Sequence, residues 1–334
     1  MPLFRIRGIL RLVTKHTVQR IRIYTLNERK IMKTKFPNTT FIIAMILASV
    51  SILTAAGETQ SKSYHKIAKN VYSFGGSSHY YSMFIVTTKG VIAIEPVNSA
   101  HAIEMVKAIK EVTDKPIKYL LHSHNHWDHS SGGAVFKKEG AKSIAHIEAY
   151  EWMKGNPNKD MVLPDETWSG KRKDIVLGNT TVELHYLGMN HGLGMTVFVL
   201  PKEKVAYVAD LITPNRVMMS IVPDFNIKEW ERSLKEILKL NFNKAVYSHN
   251  ENKNGLLGGD KQDAKEAMEF IQDIRGGIYA EFKKGTNPMM IPSTLKLPKY
   301  KDWAMYDQWL SMNVWRVLME EFMGPFPWRP EPKK

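Results

Sequence analysis

Short apolar runs separated by polar turns make up most of the middle of the chain. Runs of this kind, rich in Val, Ile, Tyr and Phe, are typical of buried strands. They predict strands at residues 71–74, 80–87, 91–95, 117–121, 181–187, 196–200, 205–209 and 244–248. A further short strand leading into a helix is predicted within residues 144–153.

Apolar residues at helical spacing occur between several of these strands. Residues 100–112 form a predicted amphipathic helix with Ile103, Val106 and Ile109 on its inner face. Residues 227–238 form another predicted helix, and residues 155–170, rich in Gly, Pro and Asn, predict a loop. Strands grouped with helices outside them indicate an α/β fold in which two sheets pack together beneath helices.

The last part of the chain, residues 261–334, predicts a helical C-terminal extension packed on the same domain. It contains a predicted helix at 261–279, a Pro-rich connector at 286–301, a second helix at 303–323 and a docked terminal arm at 325–330. One face of the second helix is apolar and consists of Tyr306, Leu310, Val314, Val317 and Leu318. The helices either pack on the core or a dimer partner, or form the wall of an apolar substrate pocket.

Charge is distributed unevenly along the chain. The formal net charge is +14, but ten of the 47 Lys and Arg residues and one of the 33 acids lie within residues 1–56. The remainder holds 37 basic and 32 acidic residues, a net charge of +5. A domain this mildly basic does not indicate a nucleic-acid partner.

The N-terminal 57 residues predict a basic extension followed by a signal peptide at about residues 32–56. Residues 32–35 are a basic start, 41–53 an apolar run and 54–57 small residues suited to cleavage. The apolar run is shorter than the ~20 residues that a bilayer span needs, so no stable membrane span is expected in the mature protein. We therefore expect a periplasmic or secreted protein. Met1 and Met32 both remain candidate starts, with Met32 favoured.

Candidate chemistry is concentrated at residues 122–129, which hold four of the twelve histidines and follow the predicted strand 117–121. His124 and His126 are two residues apart, so on an extended backbone they point the same way and can reach one metal ion. Asp128 and His129 follow where the strand gives way to a loop and a helix, where a second metal can be held. Imidazole is the commonest metal ligand near neutral pH.

The sequence His124-x-His126-x-Asp128-His129, followed by Gly132-Gly133, resembles the signature motif of the metallo-β-lactamase superfamily. Segments 188–192, 204–210 and 245–249 resemble the family's other ligand-bearing motifs and follow in the family's order. The resemblance covers about residues 68–260. It implies a four-layer αββα sandwich with metals at the sheet edge, and a catalytic domain at residues 58–260.

The same resemblance implies a set of seven metal ligands. The first metal would be held by His124, His126 and His191, the second by Asp128, His129 and His249, with Asp210 between the two. Two zinc ions are expected, with Fe or Mn as alternatives. Asp128 is also the candidate catalytic residue, which would orient the nucleophile or transfer a proton. Glu95 stands where the family usually has Asp, which indicates a divergent subfamily.

The absence of cysteine narrows the chemistry further. With no Cys in the chain, no thiolate can act as nucleophile or as a ligand to the second metal. Asp210 is then the candidate for that position, and a carboxylate oxygen suits Zn, Fe or Mn.

The resemblance implies a metal-dependent hydrolase in which a bridging hydroxide attacks a carbonyl or phosphoryl centre. The leading hypothesis is an exported dinuclear zinc hydrolase of a small-molecule ester, lactone or amide, with β-lactams included. An iron-dependent oxidoreductase of the sulfur dioxygenase kind and a phosphodiesterase are the alternatives, and a metal-binding protein without turnover is a third. A homodimer is compatible with the sequence. His79, in a predicted hairpin, is a candidate for substrate binding and equally a candidate for a plain turn residue.

Overall fold

A computed structural model describes residues 62–77 and 79–325, which include twelve strands in two sheets. The first sheet contains, in spatial order, β1 (Tyr64–Ala68), β2 (Val71–Gly75), β3 (Tyr81–Val86), β4 (Val91–Ile94), β5 (Ile117–Leu121), β6 (Lys142–His146) and β7 (Glu166–Trp168). The second contains β12 (Lys244–Tyr247), β11 (Val205–Val208), β10 (Thr196–Leu200), β9 (Thr180–Tyr186) and β8 (Arg172–Leu177). The predicted signal segment and residues 326–330 of the predicted terminal arm lie outside the described residues.

Helices connect and cover these strands. They are α1 (Ser99–Val112), α2 (Trp127–Ser130), α3 (Gly133–Lys138), α4 (Ile147–Gly155), α5 (Ile227–Lys239), α6 (Lys261–Lys283), α7 (Ile291–Thr294) and α8 (Tyr306–Met323). Three single turns of 3₁₀ helix lie at Gly255–Leu257, Pro288–Met290 and Pro298–Tyr300. None of the helices within the described ranges has both the length and the apolar character to cross a membrane.

The connections explain the mixture of strand directions. Strands β1 to β4 form an antiparallel meander, and β4 to β7 run parallel because a helix lies between each consecutive pair. In the second sheet β8 to β11 are antiparallel, and β12 pairs parallel with β11 after the crossover through α5.

Both faces of the first sheet are buried, which places it between two layers. On β4, Ile92 and Ile94 belong to the central core shared with the second sheet, whereas Val91 and Ala93 belong to a separate core beneath α1 and α3. This alternation is the period of two expected of a strand. The structure therefore has the predicted α/β architecture of two packed sheets with helices outside.

The C-terminal helices join the central core. Buried residues of α6 and α8 belong to the same core as the second sheet, and they include the whole predicted apolar face of the last helix: Tyr306, Leu310, Val314, Val317 and Leu318. Residues 286–301, predicted as a connector, contain α7 and two of the 3₁₀ turns.

Three strands and one helix face were not predicted correctly. The edge strands β1 and β8 were missed, and β7 lies inside the predicted loop 155–170. On α1, Ile103 is 59% exposed, and the buried face is instead built from His101, Ala102, Met105, Val106, Ala108 and Ile109. Ala102, Ala108 and Met105 form much of the buried face, and a prediction based only on the branched residues Ile and Val did not include them.

Candidate metal centre

The loop after β5 turns sharply within a few residues. His124 is fully buried at the end of the strand, and His126 is the last extended residue before α2. The amides of His129 and Ser130 donate to the carbonyl of His126, at 3.1 and 2.8 Å, and so start the helix. This turn brings His129 beside the earlier imidazoles, and the ring centroids of His124 and His129 are 4.5 Å apart.

Gly132 is required by the backbone that closes this loop. Its φ is +78°, in the left-handed region that favours glycine. A Cβ at this position would lie 2.5 Å from the backbone of Asn98, just before α1. The first glycine of the Gly-Gly pair therefore lets the loop after β5 lie against the start of α1.

The other three candidate ligands come from the second sheet. His191, Asp210 and His249 follow β9, β11 and β12. Because β11 and β12 are parallel neighbours, with Val208 opposite Tyr247, Asp210 and His249 leave the sheet at the same edge. They meet the loop after β5 across the gap between the sheets.

Asp210 lies at the centre of the histidine cluster. Its Oδ2 is 3.1 Å from His191 Nε2, 3.2 Å from His129 Nε2 and 3.7 Å from His124 Nε2. Its Oδ1 is 3.4 Å from His249 Nε2. Oδ2 thus faces imidazoles of both predicted groups and Oδ1 faces His249, so this carboxylate lies beside both groups, as expected of a ligand between two metals.

The seven predicted ligands form two neighbouring groups in space, although the members of the two groups alternate along the sequence. Potential ligand atoms lie within 4.8 Å of one another in the set His124, His126, His191 and Asp210, and again in the set Asp128, His129 and His249. Nε2 of His124 is buried and has no hydrogen-bond partner among the described residues, whereas Nε2 of His129 faces the Asp210 carboxylate at 3.2 Å. Buried imidazole nitrogens normally have a partner, so the unpartnered Nε2 of His124 fits a bound metal.

The electrostatics also suit a metal. Burial lowers the pKa of His124 well below 6.5 and that of His249 to about 4, so both are neutral, the form that binds metals. Burial opposes ionisation of Asp210, but His129 and His249 outweigh it and hold the pKa of that carboxyl well below 3.8. The cluster therefore presents an ionised carboxylate beside the neutral imidazoles of His124 and His249, whereas Asp210 and Glu95 raise the pKa of His129 well above 6.5.

Carboxylates outside the ligand set orient two of the imidazoles. Glu95, fully buried, accepts a hydrogen bond from Nδ1 of His129 at 2.5 Å and another from Ser123 Oγ at 3.0 Å. Asp224 lies 2.5 Å from Nε2 of His126, so Nδ1 is the nitrogen left for a metal. Such carboxylate–histidine contacts fix the ring orientation of metal ligands.

Asp224 was not predicted, and neither was Tyr80. The Asp224 carboxylate lies before the predicted helix 227–238 in a segment without hydrophobic periodicity, so its sequence context resembled an ordinary helix start. The Tyr80 hydroxyl donates to Asp128 Oδ2 at 2.8 Å, and its ring lies 4.5 Å from that of His249. Burial and the charge of Asp128 raise the pKa of Tyr80 far above 10, so it remains a hydrogen-bond donor.

A cavity of about 460 Å³ opens beside the cluster. Its lining includes the candidate ligands His126, Asp128, His191, Asp210 and His249. Much of the remaining lining is apolar and includes Val217, Met218, Val222, Phe225, Phe270 and Trp303. Arg216 also lines the cavity.

His79 does not belong to the described lining of the cavity, whereas its neighbour Tyr80 does. The substrate-binding role of His79 stays a prediction.

A sequence profile of the metallo-beta-lactamase superfamily matches residues 76–249. The match covers more than half of the chain and contains all seven candidate ligands, and the chain belongs to this superfamily. The two packed sheets, the helical outer layers and the ligand-bearing loops at the sheet edge are those of its fold.

Two proteins are similar to this chain in sequence. The alpha subunit of 2,4-dinitroanisole O-demethylase from Nocardioides sp. (strain JS1661) is 30% identical over 135 residues, which cover 40% of this chain. The aligned region spans 41% of that subunit, about two fifths of its length. Metallo-beta-lactamase IND-1 from Chryseobacterium indologenes is 25% identical over 224 residues, covering 64% of this chain and 92% of that enzyme.

Solved structures share the fold at lower sequence identity. The sec-alkylsulfatase Pisa1 from Pseudomonas sp. superposes with a TM-score of 0.61 at 15% identity, covering 78% of this chain and 50% of the other. A metallo-beta-lactamase from Pontibacter korlensis superposes with a TM-score of 0.54 at 17% identity, covering 63% of this chain and 98% of the other. At these identities the likeness shows the fold alone.

Proposed function

We propose that the protein is an exported, dinuclear zinc-dependent hydrolase of a small ester, lactone or amide. The observation that carries the proposal is the convergence of seven side chains, Asp210 among them, together with the buried Nε2 of His124, which lacks a hydrogen-bond partner among the described residues. None of the seven ligands predicted from the motifs is missing. Export rests on the signal segment at residues 32–56.

Zinc ions held by these residues would lower the pKa of a coordinated water to about 7 and would stabilise negative charge that develops on the substrate. The protein's own contribution is to keep Asp210 ionised and to orient the imidazoles through Glu95 and Asp224. In this proposal Asp128, whose side chain is 57% exposed and lines the cavity, accepts or passes on a proton. The Tyr80 hydroxyl holds this carboxylate in position.

The cavity supports a substrate with an apolar part. Its lining includes Met, Val, Phe and Trp side chains, which favour hydrocarbon or aromatic groups. The likeness to an O-demethylase subunit, over about two fifths of that protein, adds aryl methyl ethers to the substrates worth testing. The likeness to IND-1 keeps β-lactams among them.

An iron-dependent oxidoreductase of the sulfur dioxygenase kind is the second candidate. Such enzymes use one metal, so the complete second group, Asp128, His129 and His249, counts against it. A phosphodiesterase would use the same ligands, but the apolar cavity wall favours a less charged substrate.

The test measures metal content and turnover on the same purified sample. Elemental analysis should give about two zinc per chain. A panel of nitrocefin, a lactone, an aryl ester, a phosphodiester and an aryl methyl ether should identify one substrate class. His124→Ala should abolish turnover, and His185→Ala, at a histidine that lies outside the cluster and contacts Glu183, should not. If the protein instead contains one iron per chain and hydrolyses none of these compounds, the hydrolase proposal fails and the oxidoreductase takes its place.

A further inference from the structure

The segment 218–228 supplies much of the cavity wall. Asp224 contacts His126, and the ring of Phe225 lies 3.9 Å from that of His191. Met218 and Val222 line the cavity. This segment follows Asp210 in the chain and includes the first two residues of α5. Because it contacts His126 and lines the cavity, a movement of it would change both the orientation of that imidazole and the shape of the cavity.

The backbone of this segment is strained. Ser220 has a φ of 51° and Val222 a φ of 36°, in the left-handed region that residues other than glycine rarely adopt. For a β-branched residue such as Val222 this conformation is costly, and it persists only where the surroundings fix it. The segment therefore needs support from outside itself.

That support comes from α8. Asn313 donates from Nδ2 to the carbonyls of Met218, at 2.9 Å, and Ser220, at 2.7 Å. Arg316 donates to the carbonyls of Val222 and Phe225.

The third supporting residue of α8 is Glu320, which accepts from the amides of Ile227 and Lys228, both at 3.0 Å, at the start of α5. Positions 313, 316 and 320 are three and four residues apart, so they share one face of the helix.

These polar residues are buried, which distinguishes them from an ordinary surface network. Asn313 is fully buried, Glu320 is 2% exposed and Arg316 is 6% exposed. Arg316 and Glu320 also pair with each other at 3.0 Å. A buried ion pair gives no stability advantage over a well-packed apolar pair. Arg316 and Glu320 do, however, form hydrogen bonds to the backbone of residues 218–228, and an apolar pair could not form them.

We propose that Asn313, Arg316 and Glu320 are positioning residues of the active site, although they lie beyond the region matched by the superfamily profile. They hold the segment 218–228 so that Asp224 orients His126 and the side chains of Met218, Val222 and Phe225 form an apolar wall for the substrate. The substrate-binding part rests on the proposed hydrolase function, and the metal-binding part does not. The class of substrate inferred is an ester or amide with an apolar group of several carbons.

The test compares four variants of the full chain. Asn313→Leu removes two hydrogen bonds at nearly constant size. The double variant Arg316→Met/Glu320→Met removes both buried charges together, so neither is left unpaired. Asp224→Asn changes the contact to His126 directly. Glu321→Gln is the matched control, because Glu321 lies on the same helix but contacts Arg275 and Tyr279 of α6.

Zinc affinity is measured by competition with a chelator, and the ligand geometry by the visible spectrum of the cobalt(II)-substituted protein. KM and kcat are measured for p-nitrophenyl acetate and p-nitrophenyl hexanoate. We expect both α8 variants to unfold cooperatively, to bind zinc about tenfold more weakly and to shift the cobalt spectrum as Asp224→Asn does. KM should rise more for hexanoate than for acetate in the α8 variants alone, and Glu321→Gln should match the wild type.

The proposal would be overturned if Asn313→Leu and the double variant both fold and both keep the zinc affinity and the cobalt spectrum of the wild type. If the double variant does not fold, Asn313→Leu decides alone. If the wild type cleaves neither ester, the proposed hydrolase activity on esters fails, and the zinc and cobalt measurements still decide whether α8 positions the metal ligands.

Discussion

His129 faces three carboxylates, those of Glu95, Asp128 and Asp210, whereas buried His191 faces two, those of Asp210 and Asp224. Burial alone would lower the pKa of His129, but Asp210 and Glu95 raise it well above 6.5. Metal binding must therefore displace a proton at this residue, and zinc affinity should weaken as the pH falls.

Replacing Glu95 with Gln tests this arrangement at constant size. The variant loses the charge that faces Nδ1 of His129, so we expect zinc affinity to fall by about 10- to 100-fold. Competition with a chelator measures the change. Asp174→Asn, which removes a surface carboxylate paired with Arg172, is the control and should bind zinc as the wild type does. Unchanged affinity in Glu95→Gln would contradict an orienting role.

A second histidine, His101, links pH to folding stability rather than to metal binding. It is fully buried on α1, 2.8 Å from Ser82 Oγ, and burial lowers its pKa to about 4. Below pH 6.5 the unfolded chain binds a proton that the folded protein excludes. Stability from this residue is complete above pH 6.5 and is lost as the pH falls toward 4.

We expect the metal-free wild type to lose about 3 kcal/mol between pH 6.5 and 4 through this one residue. The His101→Gln variant should show a shallower loss over the same range. Urea unfolding at a series of pH values measures both, with His65→Gln, at an exposed position, as the control. Parallel pH profiles for wild type and His101→Gln would refute the assignment.

The sequence pointed to candidate ligands that lie next to a strand, but it did not point to the partners that are distant along the chain. The motif at residues 124–129 is visible because its four side chains are nearly contiguous. Asp224 is 98 residues from His126 in sequence, and nothing local marks the contact. In the sequence, Glu95 stands out only as a departure from the family pattern. It is 34 residues from His129, and the pairing of β4 with β5 brings the two side chains together, which the sequence alone does not show.

Elements were predictable in proportion to how much of their surface is buried. The central strands β4 and β10 are buried at every position and read clearly as apolar runs. The edge strand β8, Arg172–Leu177, buries Ile175 alone, and β1 buries Ile67 alone, so neither carries a strand pattern. Strand β7 has three residues and exists because β6 offers it a parallel edge.

The start of α6 is set by a capping box. The Asp260 side chain accepts from the amide of Gln262, and the Asp263 side chain accepts from the amide of Asp260. Asp260→Ala should cost about 1 kcal/mol, because a helix amide loses its partner.

That cost corresponds to a fall in the melting temperature of about 2–4 °C, measurable by calorimetry. Asp302→Ala, at an exposed position, should leave the temperature unchanged. A shift of the same size in both variants would show that the cap is not the cause.

At the scale of the whole molecule, the C-terminal extension is part of the core. Phe270, Ile271, Ile274 and Ile278 of α6 are at most 2% exposed, and each such side chain contributes about 1.5–3 kcal/mol on burial. Their combined loss, about 6–12 kcal/mol, equals the whole stability of a typical domain.

Truncation after residue 260 should therefore give an insoluble or unfolded chain. Truncation after residue 325 should give a folded one, because it leaves α6 and α8 intact. Soluble yield and circular dichroism distinguish the two. Cooperative unfolding of a soluble chain ending at residue 260 would contradict the placement of α6 in the core.

The candidate ligands are drawn from both sheets, and this has a mechanical consequence. Residues 124–129 follow a strand of the first sheet, and His191, Asp210 and His249 follow strands of the second. Metal ions held between these two sets of residues would cross-link the two sheets. Pulling the sheets apart would then require breaking coordination bonds, so the loaded protein should resist force most strongly along the direction that separates the two sheets.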